Sequence, residues 1–456
     1  MMETGSMARS KVVSLHDRMV KALVVWLTPR RLRIYPAALI LSSLMLNLWL
    51  SLLAVRSGAP FWLTLGQDFK AYYTGGRLFL DGRLTDLYNF DAQRDLQKDL
   101  AVPGDGLLPF VYPPFTVLLS AAFAVGGYVS GLWLWWACGL GVLALAVYGL
   151  GRALALPRAD SPGRILFVMF FFLTGLTWFL YGQNTPLSLL LYTLTFILLR
   201  RGQDAAGGFA LGVLLYKPQL AIPLGAALVV KQRWRALLGV ALGAGLWLVI
   251  GLALSPAAML QYLRISPQML SFLLDTQSPD SRAWAVHTFY AFAALWLGNL
   301  WPKGAAVLGT ALAVGGALTI VVMWHRADWG PGTRAWDLRF AATVALGLLI
   351  VPYVFVYDLM LLLLPLAIAW SHYPHGAGDR PLDGGTLLAW TILLFGAIFA
   401  SGHLAAAQLS VCDLLGLPRM AVQLSVPVIA GWAWALSRLA HGAAGASQAQ
   451  QVGHAA

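Results

Sequence analysis

Long apolar runs dominate this chain, and its polar residues lie mainly in the short stretches between them. The runs fall at about 36–55, 113–127, 130–151, 164–181, 185–200, 206–230, 235–254, 286–300, 303–324, 339–352, 356–371, 384–402 and 420–438. Many approach the 20 residues that a helix needs to cross a membrane. Their apolar positions are continuous rather than alternating, which is not the pattern of a β-barrel. Lipid cannot hydrogen-bond the backbone, so the pattern predicts an all-α polytopic membrane protein of about 11–13 transmembrane helices.

The basic residues lie in clusters between these runs and predict which loops share a side. The clusters are Arg152–Arg164, Arg200/Arg201, Lys231–Arg235, Arg326–Arg339 and Arg438. The positive-inside rule places them, together with the basic N-terminus, in the cytoplasm. A simple count of crossings then fails at 113–151 and at 286–324, so each of these pairs should contain a half-helix or re-entrant segment. The run 206–230 also looks broken, as helices lining a polar cavity can be.

Composition agrees with this prediction and limits the partners. The 456 residues are 59% hydrophobic and only 11% charged, whereas soluble domains have about 25% charged residues. The net charge of +12 lies mostly in short loops, so we expect membrane lipids rather than nucleic acid as partners. We predict a multi-pass protein of the bacterial inner (plasma) membrane. Its two cysteines, Cys138 and Cys412, have neither metal-site spacing nor a convincing disulfide pairing.

The expected organisation is a cytoplasmic segment at 1–35, a transmembrane domain at 36–440 and a disordered tail at 441–456. Two stretches, 57–112 and 255–285, should be outward loops. The first is unusual because it carries seven of the 19 acidic residues of the chain, namely Asp68, Asp81, Asp86, Asp91, Asp95, Asp99 and Asp105. Its aromatic and leucine residues follow helical spacing over 68–80, which predicts an amphipathic interfacial helix, with a second short helix at about 91–100.

Asp68 is the first candidate for chemistry, because it begins that interfacial helix and would hold a carboxylate at the membrane boundary. A helix N-cap is the plainer interpretation of the same aspartate. Tyr72, Tyr73 and Arg77 follow at helical spacing and suit contacts with a sugar or a phosphate. The alternative for these three is an interfacial aromatic belt with a snorkelling arginine.

Further candidates interrupt the apolar runs. Lys217 lies inside one, where an ionisable group is costly and indicates function, and Gln219 follows it. The amides of Gln183 and Asn184 suit hydroxyl binding, although a plain turn is the simpler interpretation. The remaining candidates, each with a structural alternative, are Arg264 in the second outward loop, His287 at a span entry, and Tyr357 with Asp358.

In this order, these pieces resemble glycosyltransferase family 87, polytopic enzymes of the GT-C class that include polyprenyl-phosphate-mannose-dependent α-mannosyltransferases. The matching residues span about 36–370 and are Asp68-Phe69, Tyr72-Tyr73, Gly76-Arg77, Leu87-Tyr88, Tyr112-Pro113-Pro114-Phe115, Gly182-Gln183-Asn184, Lys217-Pro218, Arg233-Trp234-Arg235, Tyr357-Asp358 and Leu363-Leu364-Pro365. The segment 353–358 departs from the family's usual pattern, and the region after about 255 matches only loosely.

The resemblance implies a GT-C-like bundle and an inverting transfer of a hexose, expected to be mannose, from polyprenyl phosphate to a glycolipid or glycan on the outward face. Asp68 would be the general base. The leaving phosphate would be met by Lys217, with Arg77, Arg264 and His287 as helpers, and the sugars by Tyr72, Tyr73, Gln183, Asn184, Gln219, Tyr357 and Asp358. No cofactor is expected with certainty, no metal ligand is assigned, and a need for a divalent metal stays open.

Two other classes compete with this interpretation. A transporter or flippase of lipid-linked sugars would also be polytopic with broken helices, but such proteins often show two related halves, and none are visible here. An O-antigen ligase or polymerase would rely on a large late outward loop, whereas 255–285 is modest. The chain has no strand–Gly-rich–helix unit and no P-loop, so an activated donor should come from the membrane.

Overall fold

A computed structural model describes residues 28–56, 64–100, 107–154, 162–274, 283–372 and 381–455. The described chain is helical without β-strands, apart from one isolated bridge between Val286 and Phe355. In chain order the α-helices are α1 (Pro29–Arg56), α2 (Phe69–Leu80), α3 (Phe90–Gln97), α4 (Val117–Ala124), α5 (Tyr128–Ala153), α6 (Pro162–Tyr181), α7 (Thr185–Arg200), α8 (Asp204–Val213), α9 (Pro218–Val230), α10 (Trp234–Leu254), α11 (Pro256–Leu274), α12 (Phe289–Leu297), α13 (Pro302–His325), α14 (Arg334–Ile350), α15 (Leu363–Ser371), α16 (Pro381–Leu415) and α17 (Ser425–Ala455).

Short 3-10 segments connect several of these helices. They are Leu84–Asp86, Lys98–Leu100, Pro114–Thr116, Leu214–Tyr216, Ala283–Ala285 and Val356–Leu362. Five stretches of the described chain are long and apolar enough to cross a membrane: Arg33–Leu53, Tyr128–Ala153, Trp234–Leu254, Pro302–His325 and Leu387–Leu415. Shorter apolar helices pack among them, and the prediction of an all-α polytopic membrane protein is confirmed.

The basic clusters between α5 and α14 meet at one end of the bundle, here called the basic end. Arg200, which ends α7, donates to the carbonyl of Ala153 at the end of α5 and forms an ion pair with Asp337 in α14. Nearby, Lys231 donates to the carbonyl of Ala327, and Arg233 forms an ion pair with Asp204. These contacts agree with the expectation that the basic loops share one side.

The opposite end, here called the loop end, is formed by residues 64–68, 180–185 and 352–358. The indole of Trp135 in α5 donates to the carbonyl of Gly182 there, at 2.9 Å. Helices α5 and α7 therefore each run from the loop end to the basic end. The 16 residues of α7 span about 24 Å, at about 1.5 Å per residue, so the two ends are separated by most of a bilayer's hydrocarbon thickness.

Two short helices explain why the count of membrane crossings failed at 113–151 and at 286–324. In the pair 113–151, the first run forms only Pro114–Thr116 and the eight-residue α4, while α5 is a full 26-residue helix. In the pair 286–324, α12 has nine residues and α13 has 24. The expected half-helix is thus the first member of each pair.

The broken run 206–230 is a helical hairpin rather than one interrupted crossing. Its arms α8 and α9 begin and end at the basic end, where Asp204 at the start of α8 pairs with Arg233 just after α9. Lys217 and Pro218 form the tip. Glycine allows α8 to pack closely on α10, since a Cβ at Gly208 would collide with the carbonyl oxygen of Ala236.

The helix predicted to be interfacial, α2, also packs on the bundle, because most of its residues are buried. Three expectations from sequence need correction. The second outward loop contains the 19-residue α11, and α16 continues to Leu415, beyond the predicted run. The tail at 441–456 is helical to Ala455, since alanine and glutamine, which are abundant there, are good helix formers.

Candidate functional site

Asp68 lies at the loop end, where the start of α2 meets the turn between α6 and α7. Its backbone N–H donates to the carbonyl of Tyr181 at 2.9 Å, and Gly66 donates to the carbonyl of Leu180 at 2.8 Å. The Asp68 carboxylate makes no cap hydrogen bond to α2; instead it accepts from Nε2 of Gln183 at 2.7 Å. Asp68 therefore occupies the N-cap position of α2, but its carboxylate does not cap the helix.

The close approach of the two segments depends on glycine. Gly182 has a φ of +70°, which favours glycine, and an added Cβ would lie 2.8 Å from the Cα of Gly66. Any side chain at Gly182 would push the 64–68 segment away from the turn. This turn thus sets the distance between Asp68 and Gln183.

Gln183 organises a buried polar network around Asp68. While its Nε2 donates to Asp68, its Oε1 accepts from the hydroxyls of Tyr72 and Tyr112, at 2.8 and 3.2 Å. The two tyrosine hydroxyls also hydrogen-bond to each other at 2.6 Å. The Tyr72 ring stacks on Tyr112 and on Trp135, with centroids 4.9 Å apart in both pairs. The carboxylate thus borders an aromatic wall formed by Tyr72, Tyr112 and Trp135.

A second carboxylate, that of Asp358, is held by a buried cation. The ammonium of Lys217 contacts it at 2.7 Å, and the two side chains are only 5% and 6% exposed. The hydroxyl of Thr185 donates to the same carboxylate oxygen at 3.1 Å. Within the described chain, this is the only hydrogen bond that Lys217 makes through its side chain, although an ammonium has three N–H groups. The Tyr357 ring lies 5.8 Å from the ammonium.

The two carboxylates belong to one site because two residues of one turn bind them. Gln183 binds Asp68, and Thr185, two residues later, binds Asp358. Burial raises the pKa of Tyr112 well above its usual value, and the charges of Asp68 and Asp358 both add to that rise. The Tyr112 hydroxyl therefore stays protonated in any ordinary buffer and can act as a hydrogen-bond donor.

Asn184 lies between these two residues and has unused hydrogen-bonding capacity. Its side chain is buried, and its Oδ1 has no hydrogen-bond partner in the described chain. A buried amide oxygen without a partner is costly, so a ligand hydroxyl would find a ready acceptor here. Gln219, the residue after Pro218 at the hairpin tip, hydrogen-bonds the phenol of Tyr353.

Four predicted residues lie outside this cluster, namely Arg77, Arg264, Tyr73 and His287. Arg77 pairs with Asp81 at 2.7 Å, about two helical turns from Asp68 along α2. Arg264 is exposed on α11, and Tyr73 packs against Phe69 and Tyr128.

His287 is buried beside Ser425, whose hydroxyl lies 2.7 Å from its Nδ1. Burial lowers the pKa of His287 to about 4, so its ring is neutral at pH 7. It would carry no positive charge toward a phosphate.

Sequence reasoning missed several residues that complete the site. Tyr112 entered only as part of the segment Tyr112-Pro113-Pro114-Phe115 and was given no role, while Thr185 and Trp135 were not singled out. Thr185 could have been found as a polar residue directly after Gln183-Asn184, whereas nothing in the local pattern marks Trp135 among so many apolar neighbours. Lys70 is also missed, and it is only 2% exposed in α2. In the described ranges, no three His, Cys, Asp or Glu side chains group closely enough to hold a metal.

Comparison with known proteins agrees with the resemblance. The model of glycosyltransferase family 87 matches residues 110–352, a stretch that contains Gln183, Asn184, Lys217 and His287 but neither aspartate of the site. No curated protein and no solved structure gave a significant match. Since the family match covers more than half of the chain, this protein belongs to glycosyltransferase family 87 and is a membrane glycosyltransferase.

Proposed function

We propose that this enzyme transfers a hexose, expected to be mannose, from a polyprenyl-phosphate donor to a glycolipid or glycan acceptor, with inversion at the anomeric carbon. The reaction takes place at the loop end, between Asp68 and Lys217. The observation that carries the proposal is that one turn, residues 182–185, binds both carboxylates, and one of these carboxylates is paired with a buried ammonium. The choice of sugar and of lipid donor rests on the family.

Asp68 acts as the general base in this proposal. It removes the proton from the acceptor hydroxyl while that oxygen bonds to the anomeric carbon of the sugar. The bond from this carbon to the phosphate oxygen breaks, and the lipid phosphate leaves with the electron pair. Asp68 suits the role better than Asp358, because Asp68 is partly exposed and within reach of an acceptor. Asp358 is buried and already paired with an ammonium.

Lys217 stabilises the charge that develops on the leaving phosphate. Its ammonium uses one N–H for Asp358, which leaves two for phosphate oxygens. Asp358 and Thr185 orient the ammonium and lower the cost of keeping it buried. Arg77 and His287 have other partners, and a phosphate role for Arg264 on the exposed face of α11 stays a prediction.

Asn184 and the aromatic wall suit recognition of the sugar. The free Oδ1 of Asn184 accepts a sugar hydroxyl, and the partly exposed Tyr112 offers a ring face. Gln183 keeps Asp68 in place and is therefore a positioning residue rather than a sugar ligand.

The decisive experiment replaces Asp68 by Asn, which keeps the shape and removes the base. With polyprenyl-phosphate mannose and native membranes as acceptor, D68N should lose about 10²–10⁴-fold in transfer rate while donor binding is retained. The matched control is D81N, an aspartate of the same stretch that pairs with Arg77 and lies outside the cluster. Its rate should stay within about twofold. Unchanged transfer by D68N would remove Asp68 from the reaction, and equal losses in both variants would indicate a general defect of this stretch.

A further inference from the structure

A polar cavity lies at the basic end, far from the proposed reaction. It has a volume of about 360 Å³ and is lined by Arg152, Ala153, Ile197, Arg200, Arg201 and Gly332. The ends of α5 and α7 and the turn before α14 form its walls. Since α7 carries Thr185 at one end and Arg200 at the other, about 24 Å separates this cavity from the Asp358 cluster. It is therefore not a subsite of the reaction centre.

Three arginines and no acidic residue line this cavity. Arg200 is fixed in place, because it contacts Asp337 at 3.1 Å and the carbonyl of Ala153 at 2.8 Å. The side chains of Arg152 and Arg201 have no hydrogen bond or ion pair in the described chain, and both residues are exposed. Asp337 offsets the charge of Arg200, so the two other guanidinium groups supply the positive charge of the cavity.

We infer that this cavity binds a phosphate-bearing anion. The guanidinium is planar and presents paired N–H groups that match two oxygens of a phosphate, and two such forks at one cavity favour this group. The volume lies within the range of small-ligand sites and suits a compact headgroup rather than a large glycan. Basic pockets between helices near a membrane boundary are also a typical site for anionic headgroups. The ligand is either an anionic phospholipid of the adjacent leaflet or a soluble phosphate ester.

Binding to the full-length purified protein tests this inference directly. Native mass spectrometry would follow phosphatidylglycerol added to delipidated protein, with phosphatidylcholine as the neutral comparison. Phosphatidylglycerol should bind at least tenfold more tightly than phosphatidylcholine, and the double variant R152Q/R201Q should weaken its binding at least tenfold. The charge-conserving R152K/R201K should weaken it about threefold, because lysine keeps the charge and loses the fork.

The matched control is R235Q/R334Q, which also removes two exposed arginines of the basic end, neither of which lines the cavity. It should change the affinity less than twofold. Millimolar inorganic phosphate distinguishes a phospholipid ligand from a soluble phosphate ester. If phosphate displaces phosphatidylglycerol, the cavity also binds soluble phosphate esters. If it does not, the cavity binds the lipid alone. Equal weakening in both double variants, or equal binding of both lipids, would overturn the inference. None of these results depends on sugar transfer, so the inference can fail while the proposed function holds.

Discussion

Each end of the bundle buries an aspartate against a basic side chain, yet the two pairs differ in exposure. At the loop end, the side chains of Asp358 and Lys217 are both almost fully buried. At the basic end, Asp337 is buried with Arg200 and His372, but the Arg200 side chain is 27% exposed. A pair that can reach water is an ordinary way to anchor helices. A pair that is buried from water holds an ammonium that can form further hydrogen bonds only with a bound ligand.

Breaking the buried pair at the loop end should give the largest effect. Either K217M or D358N alone leaves a buried charge without its partner, which costs about 3–5 kcal/mol of stability, and each should reduce transfer by more than about 100-fold. The double variant K217M/D358N removes both charges and should recover most of the stability without recovering activity. Thermal unfolding and transfer rates on the same samples would check this. Recovery of activity in the double variant would mean that the pair is only structural.

Separating the two chain segments that hold Asp68 should give the next largest effect. In G182A the new methyl would meet the Gly66 backbone, and a positive φ disfavours alanine, so Asp68 should move away from Gln183. We expect transfer to fall about tenfold to 100-fold. Gly175 is the matched control, because it lies in α6 just before this turn and nothing is within 4 Å of an added Cβ there. G175A should retain normal transfer, and a normal rate in G182A would show that this approach is not needed.

Breaking the exposed pair should affect stability more than chemistry. D337N removes the carboxylate that binds both Arg200 and His372, and we expect a loss of about 1–3 kcal/mol because Arg200 can turn to water. Transfer per folded molecule should stay within about twofold. The same paired measurements of unfolding and rate apply, and a large loss of rate in folded D337N would contradict the contrast between the two ends.

The smallest effect concerns pH and His287. Its pKa of about 4 in the folded state lies below the usual 6.5, so the unfolded chain takes up a proton first as the pH falls. Stability from this group is unchanged above about pH 6.5 and decreases between pH 6.5 and 4, by about 2 kcal/mol at pH 5. Unfolding of the wild type and of H287N at several pH values measures it. An identical pH dependence in both would show that His287 does not contribute.

The fold could be predicted from sequence because each span needs only a long apolar run, which is a local property. The half-helices were predicted as well. If all basic clusters lie on one side, one run in each pair cannot cross the membrane completely. The hairpin was missed because Lys217-Pro218 marks a break without saying whether the chain continues or returns. Only the contact between Asp204 and Arg233 decides that, and it joins residues 29 positions apart.

The candidate site was predicted in part for the same physical reason. Lys217 and Asp358 stand out locally as charges in apolar runs, but their pairing, 141 residues apart, depends on how helices pack. Gln183 was noted as an amide in a turn, while its bond to Asp68 spans 115 residues. Arg77 shows the opposite case: its spacing suggested a ligand contact, and the contact that the structure shows is a local pair with Asp81.

The hairpin also has a consequence for biosynthesis. The ribosome makes Lys217 well before Asp358, so the growing chain has no acid for the ammonium when α8 and α9 first reach the membrane. Helix α8 begins and α9 ends at the basic end, so the hairpin can stay on that side of the membrane during synthesis. It can then insert after α14 and α15 have been made. A thiol probe can follow this with Leu215→Cys in a chain otherwise free of cysteine. The probe should label nascent chains stopped before residue 358 and spare the finished protein, whereas early protection would show that the ammonium inserts alone.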